Sequence, residues 1–554
     1  MYAVRHKAIA SNPVDGVDFS ANSAQGRNRR HHPLTAEQVA AVAASIGTRH
    51  PREPGDRVQL QRIVTRSQLL TSNLQHPGAI TLDICPPSWS QPRLSCHRTR
   101  VVPTGRTSER RPTSGMEVAG AVTTDTLQPL NGRRSTTVSS IVDPARSEIC
   151  LVAILKVGAD GASEMISSAP QSDYDPYTDE ALLDPWLGYK RLRDAGSAVW
   201  LTRYQMFALT RYDAVRRALL DWECFPSRYG VMMNDGMNRV LRGNTLCSDG
   251  ADHDALRSVL VRPLKPRALR PAREEITAEA ESLVEKLVEQ GSFDAATELA
   301  NHLPVEVVSN LVGLPEQGRE RMLVWAEELF NCFGPINDRT IASFPVLDEM
   351  MNYATTEAVP SKLKPGSWAD GIHDAVARGE VPSQACPAMM IDYIGPSLDT
   401  TISAISNAVW LFANNPEQWD LLRADPRLMP SAISEVLRYD SPIQGFSRYV
   451  ARDVDMGGVV LPAGSRTIVF YGAANRDERK YPDPDRFDIR RRPGDHLGFG
   501  AGPHACVGMN LARLEMQALF TALAKRVRRF TILEEEARLN NVLRGYKMLR
   551  VAVR

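Results

Sequence analysis

The stretch Phe499-Gly500-Ala501-Gly502-Pro503-His504-Ala505-Cys506-Val507-Gly508 decides how this 554-residue chain is read. Glycines at 500, 502 and 508 open backbone angles closed to other residues and let a flat ligand approach, and Pro503 stiffens the loop between them. Leu511, Leu514, Ala518, Leu519 and Leu523 follow at helical spacing, so a helix is expected from near Asn510 with Cys506 just before its N-terminus. Backbone amides and the positive end of the helix dipole favour a thiolate over a thiol at such a place. The bland alternative for a lone Cys-x-Gly is a turn with an inert thiol.

Here the agreement runs over ten positions. The stretch resembles the ligand loop of the cytochrome P450 superfamily, F-G-x-G-x-H-x-C-x-G, at every defined position. The resemblance implies haem b bound through the Cys506 thiolate, with Phe499, Gly500 and Gly508 around it and the sixth iron position open to dioxygen. It covers about residues 172–554. The fold it implies is the cytochrome P450 fold, mainly α with a small β component.

Upstream, residues Ala388 to Ala413 form the longest helical candidate, too polar for a membrane span and interrupted by Gly395-Pro396. It resembles the family's oxygen-binding helix, A-G-x-[DE]-T, through Asp399 and Thr400, whereas Pro396-Ser397 replace the Ala-Gly pair. The resemblance implies that Asp399 feeds protons and that the Thr400 hydroxyl orients the reacting oxygen. Pro396 lacks an amide hydrogen, so a bend is expected there, with the Ser397 hydroxyl bonding the Tyr393 carbonyl.

Glu435 and Arg438 have a spacing common to helical ion pairs. They also match the family's E-x-x-R, which with Arg486 of Pro484-Asp485-Arg486-Phe487 implies a buried structural triad. His253 and Arg257 share one face of an expected helix, and the resemblance assigns both, with Arg448 and His496, to the haem carboxylates.

Residues 1–164 read differently. They carry 20 Lys and Arg against 13 Asp and Glu, leaving 46 against 52 for residues 165–554, so a formal net charge of +1 hides two unlike segments. Without sustained periodicity, 1–164 is expected to be an extension of low structure, or translated upstream sequence, preceding one haem-thiolate domain at 165–554. The balanced charge speaks against nucleic-acid binding by bulk attraction. Eight scattered cysteines without C-x-x-C pairs suit a reducing cytoplasm, and no signal peptide or membrane anchor is evident.

The expectation is therefore a cytoplasmic, monomeric monooxygenase that inserts one atom of dioxygen into a small organic substrate, with electrons from a separate ferredoxin and ferredoxin reductase. A haem-thiolate peroxygenase using hydrogen peroxide and a non-catalytic haem sensor are the alternatives. The acid-alcohol pair Asp399-Thr400 weighs against both.

Overall fold

In the computed structural model, the described residues are 159–554 and a two-residue antiparallel ladder joining Ile141–Val142 to Ile149–Cys150. They belong to the second of two units, Gly120–Arg554; most of the expected 1–164 extension lies outside the described residues. A helix over Ala159–Ser168 crosses the expected boundary at 164/165.

A 29-residue helix, Cys386–Asn414, runs through the core. Met389, Met390, Ile391, Tyr393, Ile394, Ala404 and Val409 are all buried, so apolar residues lie around it rather than on one stripe, the signature of a core helix. Pro396 sits inside it without an amide to donate to the Asp392 carbonyl. The neighbouring turns are tied by side chains instead: Ser397 Oγ donates to the Tyr393 carbonyl, as expected from the sequence, and Thr400 Oγ1 donates to the Pro396 carbonyl at 2.8 Å.

Helices Met322–Cys332, Asp338–Thr356, Met429–Tyr439 and Met509–Arg526 pack against it, and Arg270–Gln290 packs along Met509–Arg526. To one side lies a five-stranded sheet in the order Gln171–Ser172, Val199–Leu201, Met206–Leu209, Arg466–Phe470, Gly445–Tyr449. Its third and fourth strands pair in parallel, and both are buried on two faces, which accounts for the continuous apolar runs Phe207-Ala208-Leu209 and Ile468-Val469-Phe470. A smaller sheet joins Phe530–Ala537, Tyr546–Val553 and Ser292–Asp294.

The helix bearing His253 and Arg257 spans Gly250–Val261, and Arg270–Gln290 stops at Gly291 in a left-handed conformation, φ 74°. Between residues 230 and 248 only Asp235–Val240 is helical. A π-helical turn, Pro304–Val308, continues into helix Ser309–Val312. Among the described residues no helix is long and apolar enough to cross a membrane.

The buried charge cluster differs from expectation in one member. Arg438 forks onto Glu435, Nε to Oε2 at 2.7 Å and Nη2 to Oε1 at 2.9 Å, with both side chains fully buried. The second guanidinium is that of Arg491, whose Nε lies 3.1 Å from Glu435 Oε1, and not that of Arg486. Arg486 is exposed and contributes only its carbonyl, to Arg438 and Arg491. The cause is local geometry: the segment turns at Asp483, φ 47°, and Arg491 Nη1 and Nη2 gather the carbonyls of Pro482, Asp483 and Arg486 while its Nε faces the acid.

Removing one partner of a fully buried ion pair leaves an uncompensated charge and costs ~3–5 kcal/mol. Glu435 keeps Arg438 when Arg491, itself 14% exposed, is removed, so Arg491→Ala should cost less than that range but still lower the denaturation midpoint measurably and reduce soluble holoprotein. Arg486→Ala should stay within about 0.5 kcal/mol of the parent, as an exposed substitution does. Chemical denaturation of the two variants compares them directly, and the opposite ranking would return Arg486 to the cluster.

Candidate functional site

The cysteine loop is built from two short turns, Leu497–Phe499 and Gly502–His504, ahead of helix Met509–Arg526. The Cys506 amide donates to the Phe499 carbonyl at 2.8 Å and closes the loop on itself. Gly502 adopts φ +72°, and a Cβ placed there would meet the Leu219 carbonyl at 2.6 Å. Only glycine lets the loop lie against helix Tyr212–Leu220 in this way.

The Cys506 thiol opens onto a cavity, yet lies deep in the protein. Burial pushes its pKa up, while the amides of Gly508 and Met509 and the guanidiniums of Arg257 and Arg513 pull the other way. Amides and cations thus converge on the sulfur, as the helix-mouth position predicts. Arg513 also lies over the Phe499 ring, 5.1 Å from its centroid.

Centres of water-sized spheres sweep about 260 Å³ of this cavity, and its wall is mostly apolar. Phe499, Gly500, Cys506 and Gly508 line it from the loop, and Pro396, Ser397 and Thr400 from the long helix. Arg257 and Arg448 line it as well. Neither arginine pairs with a carboxylate among the described residues. Arg257 Nη2 donates to the Ala505 carbonyl, and the largely buried Arg448 donates from Nη1 to the Ser447 carbonyl at 2.8 Å.

His253 and His496 sit behind the wall, each buried and each with an Nε2 that has no hydrogen-bond partner. Burial, reinforced by Arg513, drives the His496 pKa down to about 3, so its ring is neutral. His504, on the wall, lies 3.3 Å from Asp249 through Nε2 and 4.3 Å from the His253 ring. A thiol, two unpaired guanidiniums and two orphaned imidazole nitrogens around an apolar cavity make a donor set that fits a flat macrocycle bearing two carboxylates.

Asp399 and Thr400 are adjacent in sequence but face different surroundings. Thr400 is on the cavity wall. Asp399 is almost fully buried with Oδ1 on Arg538 Nη1 at 3.0 Å and Oδ2 unpartnered. Burial raises its pKa to about 6, against the pull of Arg538. Arg538 Nε lies in turn 3.8 Å from Glu327, whose side chain is 37% exposed.

Sequence reasoning missed several wall residues. Phe330, Phe333 and Phe446 form a chain of rings with centroids 5.7 and 6.0 Å apart, drawn from a helix, its C-terminal cap and a strand. No sequence spacing could unite them. Glu515 was within reach, because it interrupts the apolar stripe Leu511, Leu514, Ala518; neither of its oxygens has a partner, and burial lifts its pKa to about 8. Asp392 also lines the cavity.

Comparison with known proteins agrees with this geometry. A family profile described as Cytochrome P450 matches residues 377–544. The chain is 33% identical over 390 residues to Cytochrome p450 CYP199A2 of Rhodopseudomonas palustris, covering 70% of this chain and 95% of that relative. It is 31% identical over 311 residues to the Steroid C26-monooxygenase of Rhodococcus jostii, covering 55% of this chain and 64% of that protein. Among solved structures, CalO2 superposes with a TM-score of 0.61 at 27% identity, covering 69% of this chain and 98% of CalO2.

The contact at Gly502 yields a test of the loop. Gly502→Ala forces a Cβ onto a backbone oxygen at a positive φ and should cost about 1–3 kcal/mol. Gly494→Ala, where a Cβ meets nothing within 4 Å and φ is not positive, is the control and should be close to neutral. Thermal denaturation separates the two.

Proposed function

The chain belongs to the cytochrome P450 family of haem-dependent monooxygenases, and from that premise we propose that it oxygenates a small organic substrate held in the cavity beside Cys506, using electrons from a separate ferredoxin and its reductase. The observation that carries this reading is the meeting of the Cys506 thiol, Thr400 and two arginines that pair with no carboxylate among the described residues, Arg448 buried and Arg257 partly so, at one apolar cavity. In this reading Cys506 is the iron ligand. Arg257, Arg448, His253 and His496 hold the carboxylates of haem b, and Phe499, Gly500 and Gly508 shape the wall beside the sulfur. When bound, the haem supplies reductive activation of dioxygen, with thiolate donation favouring O–O cleavage.

The chain's own residues manage protons and water. Thr400 commits its hydroxyl proton to the Pro396 carbonyl, so its lone pairs accept a hydrogen bond from the cavity side. Asp399, with a pKa near 6, takes up and releases a proton close to neutrality, as a relay group must. Glu327, Arg538 and Asp399 form a line of charged groups from the surface to the residue beside Thr400. In this proposal Glu327 marks where the proton route meets the surface and Asp399 carries the proton inward, while Arg538, which stays protonated, holds the Asp399 carboxylate in place. The apolar wall excludes bulk water, so protons enter by the route and not at random.

For the electron donor, Lys265, Arg267, Arg270 and Arg273 are exposed, whereas Arg262 pairs with Glu380 at 2.7 Å and Arg257 turns inward. Four exposed cations on a mildly acidic domain suit an acidic ferredoxin. The five described cysteines are free thiols, in keeping with a reducing cytoplasm.

Reconstitution with a ferredoxin, its reductase and a substrate that shifts the haem to high spin should give oxygenated product that depends on all three. Thr400→Ala should bind that substrate as before while diverting most reducing equivalents to hydrogen peroxide. Full coupling in this variant removes Thr400 from the relay. Cys506→His should lose both turnover and the red-shifted Soret band of the reduced carbonyl complex, and an unchanged band assigns the iron to another ligand.

A further inference from the structure

Two acids of the cavity wall, Glu515 and Asp392, lack a countercharge among the described residues, and of the two only Asp392 keeps accessible surface. It lies on helix Cys386–Asn414 and shares the wall with Thr400, Phe330, Phe333 and Phe446. Asp392 keeps a little accessible surface although it lies deep in the fold, so the surface it presents is cavity surface. Oδ2 accepts the Thr245 amide at 3.3 Å. No arginine, lysine or histidine pairs with it among the described residues.

Other buried acids of this protein are treated differently. Glu435 has Arg438 and Arg491, Asp399 has Arg538, and Asp440 has Arg544 at 2.7 Å. Glu515, also on the wall, has no partner, but it has no accessible surface and stays neutral, its pKa lifted to about 8 by burial. For Asp392 burial raises the pKa to about 7, with the Thr245 hydroxyl and amide opposing it, so the carboxylate forms near neutrality. The titratable groups that sense its charge are Cys247, on the segment carrying Thr245, and Tyr393, on its own helix. Burial holds both of them protonated. The cavity cations Arg257 and Arg448 are not among the groups that act on it.

A carboxylate in an apolar wall is unfavourable unless a cation completes it. We propose that Asp392 is a specificity-determining residue that selects substrates bearing an ammonium group, serving as the counter-ion that anchors the cationic end of a small, largely apolar molecule. The rings of Phe330, Phe333, Phe446 and Trp368 supply apolar surface for the rest of such a molecule, and aromatic faces also tolerate a cation. This rests on the cavity being the substrate site of the proposed monooxygenase.

The test uses haem-loaded enzyme and three phenyl probes: benzyltrimethylammonium, its neutral carbon isostere neopentylbenzene, and anionic phenylacetate. A quaternary ammonium cannot bind iron through nitrogen and does not change charge with pH. Binding is read by calorimetry and by the low- to high-spin shift. The ammonium should bind roughly ten- to a hundredfold more tightly than the isostere, the range for a charge-assisted contact, and phenylacetate weakest.

Asp392→Asn should erase the difference between ammonium and isostere, and Asp392→Glu should retain part of it. In the parent, ammonium affinity should rise between about pH 6 and about pH 8 as the carboxyl ionises, and in the Asn variant it should not. Equal binding of the ammonium and its isostere by the parent, or a preference that survives Asp392→Asn, overturns the proposal. The reduced carbonyl spectrum separates the two levels of failure. A normal thiolate band with no ammonium preference defeats this inference alone, whereas absence of the band defeats the haem-site reading and this inference with it.

Discussion

The amide of Cys506 donates to the carbonyl of Phe499, and the position of the sulfur depends on that bond across the loop. With the loop closed, the thiol stands where the amides of Gly508 and Met509 point toward it at the mouth of helix Met509–Arg526. The rest of the fold keeps this loop from moving. Gly502 is pressed against the Leu219 carbonyl on one side, and Arg257 holds the Ala505 carbonyl on another. A single rotatable side chain is thereby placed to within the tolerance that metal ligation demands, because it is the backbone around it that is constrained.

Buried charge is distributed with a consistent logic. Where the role is structural, as at Glu435, the acid has two guanidiniums and the Asp488 amide, and nothing is left over. At Asp399, to which the proposed function gives a proton-carrying role, one oxygen is pinned by Arg538 and the other is left unpartnered, and burial raises the pKa to about 6. Around the cavity the arrangement is complementary: Arg257 and Arg448 lack acids, and Asp392 lacks a base. Groups left incomplete by the chain are the ones that a ligand can complete, and their opposite signs are what the proposals above assign to an anionic cofactor and a cationic substrate.

The long helix shows how a departure from a family pattern can be absorbed. Pro396 removes one backbone donor, and the hydroxyls of Ser397 and Thr400 bond the carbonyls of Tyr393 and Pro396 in the same turns. The bond at Thr400 has a second consequence, since it orients the hydroxyl and leaves its acceptor side to the cavity. Local backbone chemistry and proposed function therefore meet in one side chain.

What the sequence determined by itself was everything encoded in contiguous residues. The loop from Phe499 to Gly508, the helix after it, the Ser397-to-Tyr393 bond and the Glu435–Arg438 pair are all readable, because their partners lie within about one helical turn or one tight loop of each other. The tertiary structure decided which distant groups meet. Arg491 was chosen over Arg486 for Glu435 by a turn at Asp483 that no spacing rule predicts, and the run Arg490-Arg491-Arg492 offers no internal clue to which member points inward. Arg538 reached Asp399 across 139 positions, and Phe446 came from a strand to meet Phe330 and Phe333, at one helix end, on the same cavity. Asp392 was visible in the sequence only as a polar residue on a helix. That it stands uncompensated in an apolar wall follows from no cation among the described residues reaching it, and which cations reach it is settled only once the chain has folded.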